Sequence, residues 1–200
     1  GILGYYEADK HLKEKFGERD YLAEILTRIN EYAEKVTMSG VGLIMNIEQI
    51  PAESMMTRLA KVDNLLFGIE EPIYSNQYVP LFEEGHNIWE RLDIDGRYNK
   101  LVTGGGIVHI SLGEPVTPSQ AEEIIRYAAK VGCEHFALNP VFSICPEGHS
   151  VFGKHENCPI CGTKISDYIT RTIGYFSKVS NWTNSKKEND FEKRDYKKVI

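Results

Sequence analysis

Apolar and polar positions alternate along the chain in short blocks, each with its own period. Leu22, Ile25, Leu26, Ile29, Ala33 and Val36 recur at helical spacing and form one stripe, and Asp20 stands where a cap is needed. They predict a helix over 20–36. VGLIMNI, 41–47, is an unbroken apolar run of strand length and predicts a buried strand. PAESMMTRLAKVD follows as a short helix with Pro51 in its first turn, and its Met55–Met56 pair reads as core packing. The pattern over 64–80 is irregular and polar. GIVHISL, 106–112, predicts a second strand after the glycine run at 104–106. TPSQAEEIIRYAAKVG carries the clearest helix limits: Thr117 and Gln120 make a capping box, Pro118 takes the first helical position, and Gly132 ends it. CEHFALN, 133–139, predicts a third strand. Strands alternating with helices imply parallel pairing and an α/β layout.

Composition narrows this little. Two hundred residues allow one domain with a small satellite module. With 42% hydrophobic and 26% charged residues, the chain reads as soluble, and no apolar run approaches membrane-spanning length. A net charge of −6 gives no reason to expect nucleic acid. Basic residues gather at Lys186–Lys187 and from Lys193 onward, interleaved with acids, and read as a solvated, partly mobile end. The opening, GILGYYEADK, has no Met and turns apolar at once, so it reads as the interior of a longer polypeptide.

Chemistry concentrates after Asn139. Cys145, His149, Cys158 and Cys161 give C-x3-H-x8-C-x2-C, two short loops that each offer two soft ligands across a hairpin-sized spacer. Thiolates with imidazole suit zinc in a closed, structural site, and clustered thiols without a secretory signal point to a reducing, cytoplasmic setting. His155 is an alternative fourth ligand to His149. Cys133, inside an expected strand, reads as a small buried hydrophobe.

Gly174 stands in RTIGY just downstream of this cluster. A turn or bulge explains a glycine there. The other explanation is chemical: hydrogen abstraction from an alpha carbon leaves a radical delocalised over the adjoining amides, and only glycine lacks a side chain that opposes planarity and close approach.

RTIGY, an Arg and two variable residues before Gly-Tyr, resembles the radical-bearing loop of glycyl radical enzymes. The order of cysteine knuckle, RTIGY, VSNW and a lysine-rich tail resembles in particular the anaerobic, class III ribonucleoside-triphosphate reductase large subunit. NIEQIPAES (46–54), YSNQYVPL (74–81), LVTGGGIVHI (101–110) and HFALNPVFSICP (135–146) agree with that family. The resemblance implies the C-terminal half of a ten-stranded α/β barrel over 1–142, a zinc ribbon over 143–166, a glycyl radical loop over 167–182 and a tail over 183–200.

It further implies an allosteric, oxygen-sensitive enzyme supplying deoxyribonucleotides for DNA replication, a ribonucleotide substrate and a homodimer. Its activating partner would cleave S-adenosylmethionine with an iron–sulfur cluster and place the radical on Gly174. The regulatory region and the thiyl-radical cysteine belong upstream in that family. None of the four cysteines here matches the latter, so this chain alone is expected to be inactive. Glu48 is the candidate acceptor of the ribose 3′-hydroxyl proton, set against an ordinary acid near a helix start; Asn46, two residues earlier on the same strand face, is a weaker candidate. TGGGI lacks the Lys-Ser/Thr ending of a phosphate loop and predicts instead a close backbone crossing near the radical loop. The competing reading is a zinc-ribbon interaction module without catalysis, or a replacement glycyl radical subunit.

Overall fold

The computed structural model describes residues 20–40, 42–50, 53–75, 77–79, 85–171, 174–197 and 199. In chain order the elements are α1 (Tyr21–Met38), α2 (Glu53–Phe67), α3 (Ile88–Asn99), β1 (Ile107–Leu112), α4 (Pro118–Val131), β2 (His135–Ile144), β3 (Ser150–Phe152), β4 (Asp167–Arg171) and β5 (Phe176–Lys178). Three short helical turns follow, over Val179–Asn181, Asn184–Lys186 and Lys187–Phe191.

One strand carries the architecture. The first six residues of β2 pair in parallel with β1, from Ile107↔His135 to Leu112↔Pro140, with α4 as the crossover. Its last four pair antiparallel with β4, while 142–144 also pair antiparallel with β3. Because β1 and β4 lie on opposite sides of β2, β1 and β3 occupy the same edge in succession. Pro140 stands at the change of partner, where a missing amide hydrogen costs least. Its carbonyl accepts from Thr170 Oγ1 at 2.9 Å. The expected strand over 133–139 is therefore longer, and it runs through the division expected at 142.

Helices α3 and α4 cover one face of β1 and β2. Ile88, Leu92, Ile124 and Ala128 pack on Val108, Ile110 and Leu112. Gly96 permits this approach, since a Cβ there would lie 2.6 Å from the Val131 carbonyl oxygen. Helix α4 has the limits read from the sequence: Thr117 and Gln120 form the capping box, and Gly132 is left-handed at φ +89°. Helix α3 was missed, although Asn87 and Glu90 form an equally complete capping box at its start.

The apolar run at 41–47 does not form the expected buried strand. Val41 lies outside the described residues, 42–47 belong to no strand, the nearest ladder contact among the described residues is the isolated parallel bridge Gln49↔Gly106, and Ile44 is 88% exposed. Likewise, Ala33 is the one buried residue of α1, and Ile25 and Ile29 are exposed. Apolar stripes mark the faces a sequence is built to bury, and no described residue covers these two. Helix α2 also runs four residues beyond the expected 51–63, to Phe67.

The C-terminal segment is not the solvated end its charges suggest. Phe191 is fully buried with Val141, Val179 and Trp182, flanked by Tyr168 and Tyr196. The backbone of Lys197 donates to the Ser111 carbonyl at 2.8 Å and accepts from Gly113 at 3.0 Å, so the segment caps the free edge of β1. Val199 enters the core between β1 and the helices. Charged residues dominate the composition, while a few apolar ones at wide spacing do the anchoring.

The other face of β1 and β2 is buried but polar: His109, Ser111, Asn139 and Ser143 are all at most 3% exposed. Burial pushes the His109 imidazole down to about 4, against its hydrogen bond to Asn139 and helped by the guanidinium charges of Arg171 and Arg194. Burial pushes the Asp95 carboxyl, in α3, up to about 7 against the attraction of Arg91. The two groups act oppositely on stability. Below its unfolded value of about 6.5, His109 is protonated more readily in the unfolded chain, so it lowers stability as pH falls toward 4. Asp95 holds a proton in the fold that the unfolded chain releases above about 4, so it lowers stability as pH rises toward 7. We therefore expect Asp95→Asn to steepen the rise of stability with pH between 4 and 6.5 relative to the parent, and His109→Gln to reduce it. Chemical denaturation across that window checks this; identical slopes in all three proteins would contradict it.

Candidate metal centre and glycine loop

The first cysteine knuckle is the turn between β2 and β3. The Cys145 amide donates to the His149 carbonyl at 3.1 Å and Gly148 donates to the Cys145 carbonyl at 3.0 Å. The second is closed by Cys158 donating to the Thr163 carbonyl and Gly162 to the Cys158 carbonyl, both at 2.8 Å. Gly148 and Gly162 take the left-handed conformation at φ +84° and +76°, which the tight turns require. An antiparallel bridge, Asn157↔Lys164, sits under the second knuckle.

These turns bring one atom each of Cys145, His149, Cys158 and Cys161 within 4.8 Å of one another. His149 Nδ1 is 3.5 Å from Cys145 Sγ and 3.8 Å from Cys158 Sγ, and the Cys145 and Cys161 sulfurs are 3.7 Å apart. A tetrahedral zinc site with bonds of about 2.3 Å to sulfur and about 2.0–2.1 Å to nitrogen has edges of about 3.8 Å and about 3.6 Å. The cluster has the size and donor set of such a site. Hydrogen bonds from Thr163 lower the Cys161 thiol to about 7, which favours the ligating thiolate.

His155 lies outside the cluster. Its Nε2 is 2.8 Å from the Phe152 carbonyl oxygen, and its amide donates to Ser143 Oγ at 2.9 Å. Cys133 is also apart from it, buried in the helix-side core with its thiol pushed up to about 12 by burial.

Strand β4 leaves the cysteine knuckles along β2 and returns as β5 in a hairpin whose last pair is Arg171↔Phe176. Gly174 lies in the four-residue connection and is exposed. Its φ is not in the left-handed region, and a Cβ built on it meets nothing within 4 Å among the described residues. Among the described residues, neither a left-handed φ nor close packing requires a glycine there. Ile173 lies outside the described residues. Tyr175 is 67% exposed.

The glycine run at 104–106 makes a close backbone crossing, but with the 46–50 segment; no contact among the described residues places it beside Gly174, where the crossing was expected. Gly104 donates to the Ile47 carbonyl at 2.7 Å and Gln49 to the Gly105 carbonyl at 3.0 Å. A Cβ on Gly104 would lie 2.6 Å from Asn46 Nδ2. Asn46 is engaged in this crossing, accepting from Thr103 Oγ1 at 3.1 Å. Glu48 is exposed and lines an open cavity of 590 Å³ with Gln49, the three glycines, Glu134 and His135. The two candidates thus part company: one braces the backbone, the other faces open space.

Sequence reading also missed a buried polar cluster. The Gln77 side-chain carbonyl accepts from the His109 amide at 2.9 Å, and Asn139 contacts His109 Nδ1 at 3.1 Å. Gln77 Nε2, His109 Nε2 and Ser111 Oγ are buried without partners among the described residues. The available signal was polar side chains at alternate positions of an otherwise apolar strand, in GIVHISL.

A family model described as anaerobic ribonucleoside-triphosphate reductase matches residues 1–196. The anaerobic ribonucleoside-triphosphate reductase of Enterobacteria phage T4 is 26% identical over 170 residues, covering 78% of this chain and 28% of that protein. A solved anaerobic ribonucleotide reductase superposes with a TM-score of 0.74 at 35% identity, over 88% of this chain and 28% of its own. The Thermotoga maritima anaerobic ribonucleotide reductase in complex with dATP and CTP gives 0.65 at 35% identity, over 85% and 27%. The chain therefore spans little more than a quarter of these relatives' length.

For the cluster we expect one zinc per chain. His149→Ala should weaken zinc binding by more than about 100-fold, since losing even a supporting partner costs 10–100-fold, while His155→Ala should leave zinc content unchanged. Competition with a chelator, followed by metal analysis, separates the two; the reverse pattern would reject the ligand set.

Proposed function

The chain belongs to the anaerobic ribonucleoside-triphosphate reductase family, and from that premise we propose that it is the radical-storing C-terminal part of such an enzyme, with the radical held on Gly174. The full protein reduces ribonucleoside triphosphates to 2′-deoxyribonucleotides. The observation that carries this reading is negative in form. Gly174 sits at a hairpin tip with no left-handed φ and with room for a side chain among the described residues. What supports a glycine there is its chemistry: its alpha-carbon radical can flatten between two amides, and nothing blocks a second group from approaching it.

The activating partner removes one hydrogen atom from the Gly174 alpha carbon, using S-adenosylmethionine and an iron–sulfur cluster as the radical source. In turnover, the glycyl radical takes a hydrogen atom from a cysteine thiol of the upstream polypeptide, and the thiyl radical acts on the ribose. β1, β2 and the 42–50 segment belong to the C-terminal half of a ten-stranded barrel closed by that upstream polypeptide, which also covers the exposed Leu43–Met45 run, Tyr175 and the stripe of α1. Buried donors on the polar strand face, among them His109 and Gln77, then face the barrel interior. The zinc is structural, held by Cys145, His149, Cys158 and Cys161, and it fixes the strands from which the loop departs. Glu48 accepts the proton of the ribose 3′-hydroxyl as the substrate radical forms, a task that needs reach into the open cavity beside it.

The full-length enzyme, activated anaerobically, should give a doublet paramagnetic resonance signal from one alpha hydrogen. Deuterated glycine should collapse it, and Gly174→Ala should abolish it while leaving zinc and thermal stability intact. Turnover without a glycine-centred signal would reject the proposal. Glu48→Gln in the same enzyme should lower kcat by roughly 100-fold or more with nucleotide affinity unchanged, because the interaction is made only in the transition state. Normal turnover would remove Glu48 from the mechanism.

A further inference from the structure

Two guanidinium groups connect the buried C-terminal segment to the glycine loop. Arg194 Nε and Nη2 bind Asp190 Oδ1 and Oδ2 at 2.6 and 2.9 Å, and both side chains are almost fully buried. The remaining arm, Nη1, donates to the Arg171 carbonyl at 2.9 Å. Arg171 is the last residue of β4, so this bond holds one leg of the hairpin at the end nearest Gly174. The other leg is held by Trp182, whose Nε1 donates to Ser177 Oγ at 2.8 Å and whose ring lies 5.1 Å from the Arg194 guanidinium. Arg171 in turn donates from Nη2 to the Gly174 carbonyl at 3.2 Å. Its Nε is buried with no hydrogen-bond partner, and no carboxylate pairs with it, among the described residues.

We infer that Asp190, Arg194 and Arg171 form a relay that positions Gly174: the buried pair fixes the Arg171 main chain, and the Arg171 side chain holds the Gly174 carbonyl. This rests on the reading of Gly174 as the radical carrier and adds the residues that tune it. An alpha-carbon radical flanked by a nitrogen donor and a carbonyl acceptor shares its spin with that carbonyl oxygen. A cationic donor on the oxygen strengthens the acceptor side, being stronger than a neutral hydrogen bond. Arg194 suits the foot of the loop because its planar fork engages one carboxylate twice and a carbonyl once; a lysine ammonium has no such fork. Removing either buried partner leaves the other charge uncompensated, so the relay fails as a unit.

The test uses the zinc-loaded, full-length protein. Without activation, Arg194→Met and the milder Asp190→Asn should speed amide hydrogen exchange across 174–177 by roughly ten- to a hundredfold. Exchange at Cys145 and Gly162 and the zinc content should stay at parent values, and Arg194→Lys should not restore protection. After activation, Arg171→Met should change the g-anisotropy of the glycine-centred signal at high field and lower turnover per spin, with KM for nucleotide held; Arg171→Lys should recover part of both. Parent exchange rates in Arg194→Met and Asp190→Asn, or a parent spectrum in Arg171→Met, overturn the relay. A parent enzyme with no glycine-centred signal overturns the reading of Gly174 instead, and the exchange data still decide whether the relay holds the loop.

Discussion

Everything distinctive in this structure depends on β2 being hydrogen-bonded on both edges to partners of opposite sense. Its first half belongs to a parallel β/α layer, its second half to an antiparallel sheet that carries the Cys/His cluster and the glycine hairpin. A strand so shared cannot slip by one residue without turning His109 and Asn139 out of register and moving the cysteine knuckle off its sheet. The knuckles close the far end: Cys145 follows β2 directly, and β4 pairs with the same four residues of β2 that lead into it. Position is thereby passed from the parallel layer to the Cys/His cluster and the glycine hairpin through backbone hydrogen bonds, with few adjustable side chains between.

Against that rigid background the glycines divide into two kinds. Gly132, Gly148 and Gly162 are left-handed and end a helix or close a knuckle, and Gly96 and Gly104 admit neighbours that a Cβ would displace. Gly174 has neither justification among the described residues. A glycine without a conformational or steric reason among the described residues invites a chemical one; its hairpin has two antiparallel legs, each tied near the loop, with a cation on the glycine carbonyl.

Local signals were legible in the sequence. Thr117, Pro118, Gln120 and Gly132 delimit α4 because capping depends only on neighbours in the chain, and the metal spacing reads directly because each knuckle is a self-contained turn. What escaped was long-range. The C-terminal segment reads as solvated because lysines and acids dominate it, yet Phe191, Arg194 and Val199 fold it against β1, β2 and β4. The 41–47 run reads as buried, while its cover lies outside the described residues. Gln77 and Asn139 gave no signal individually, and His109 only the polar alternation within GIVHISL, because a buried polar cluster exists only once distant segments meet. Choosing between His149 and His155 required coordinates, since both suit the spacing.

Oxygen offers the most direct test of the central claim, that Gly174 carries the radical. A carbon-centred backbone radical adds oxygen and the chain then breaks at that residue, whereas a glycine needed only for a turn leaves the chain whole. The full-length enzyme should be activated anaerobically, exposed to air and measured by intact-mass spectrometry beside an unactivated control. The account predicts a truncated product ending at the Gly174 position, in proportion to the spin present before exposure and absent from the Gly174→Ala protein. An activated, active enzyme that stays intact in air, or that breaks at another residue, would contradict it.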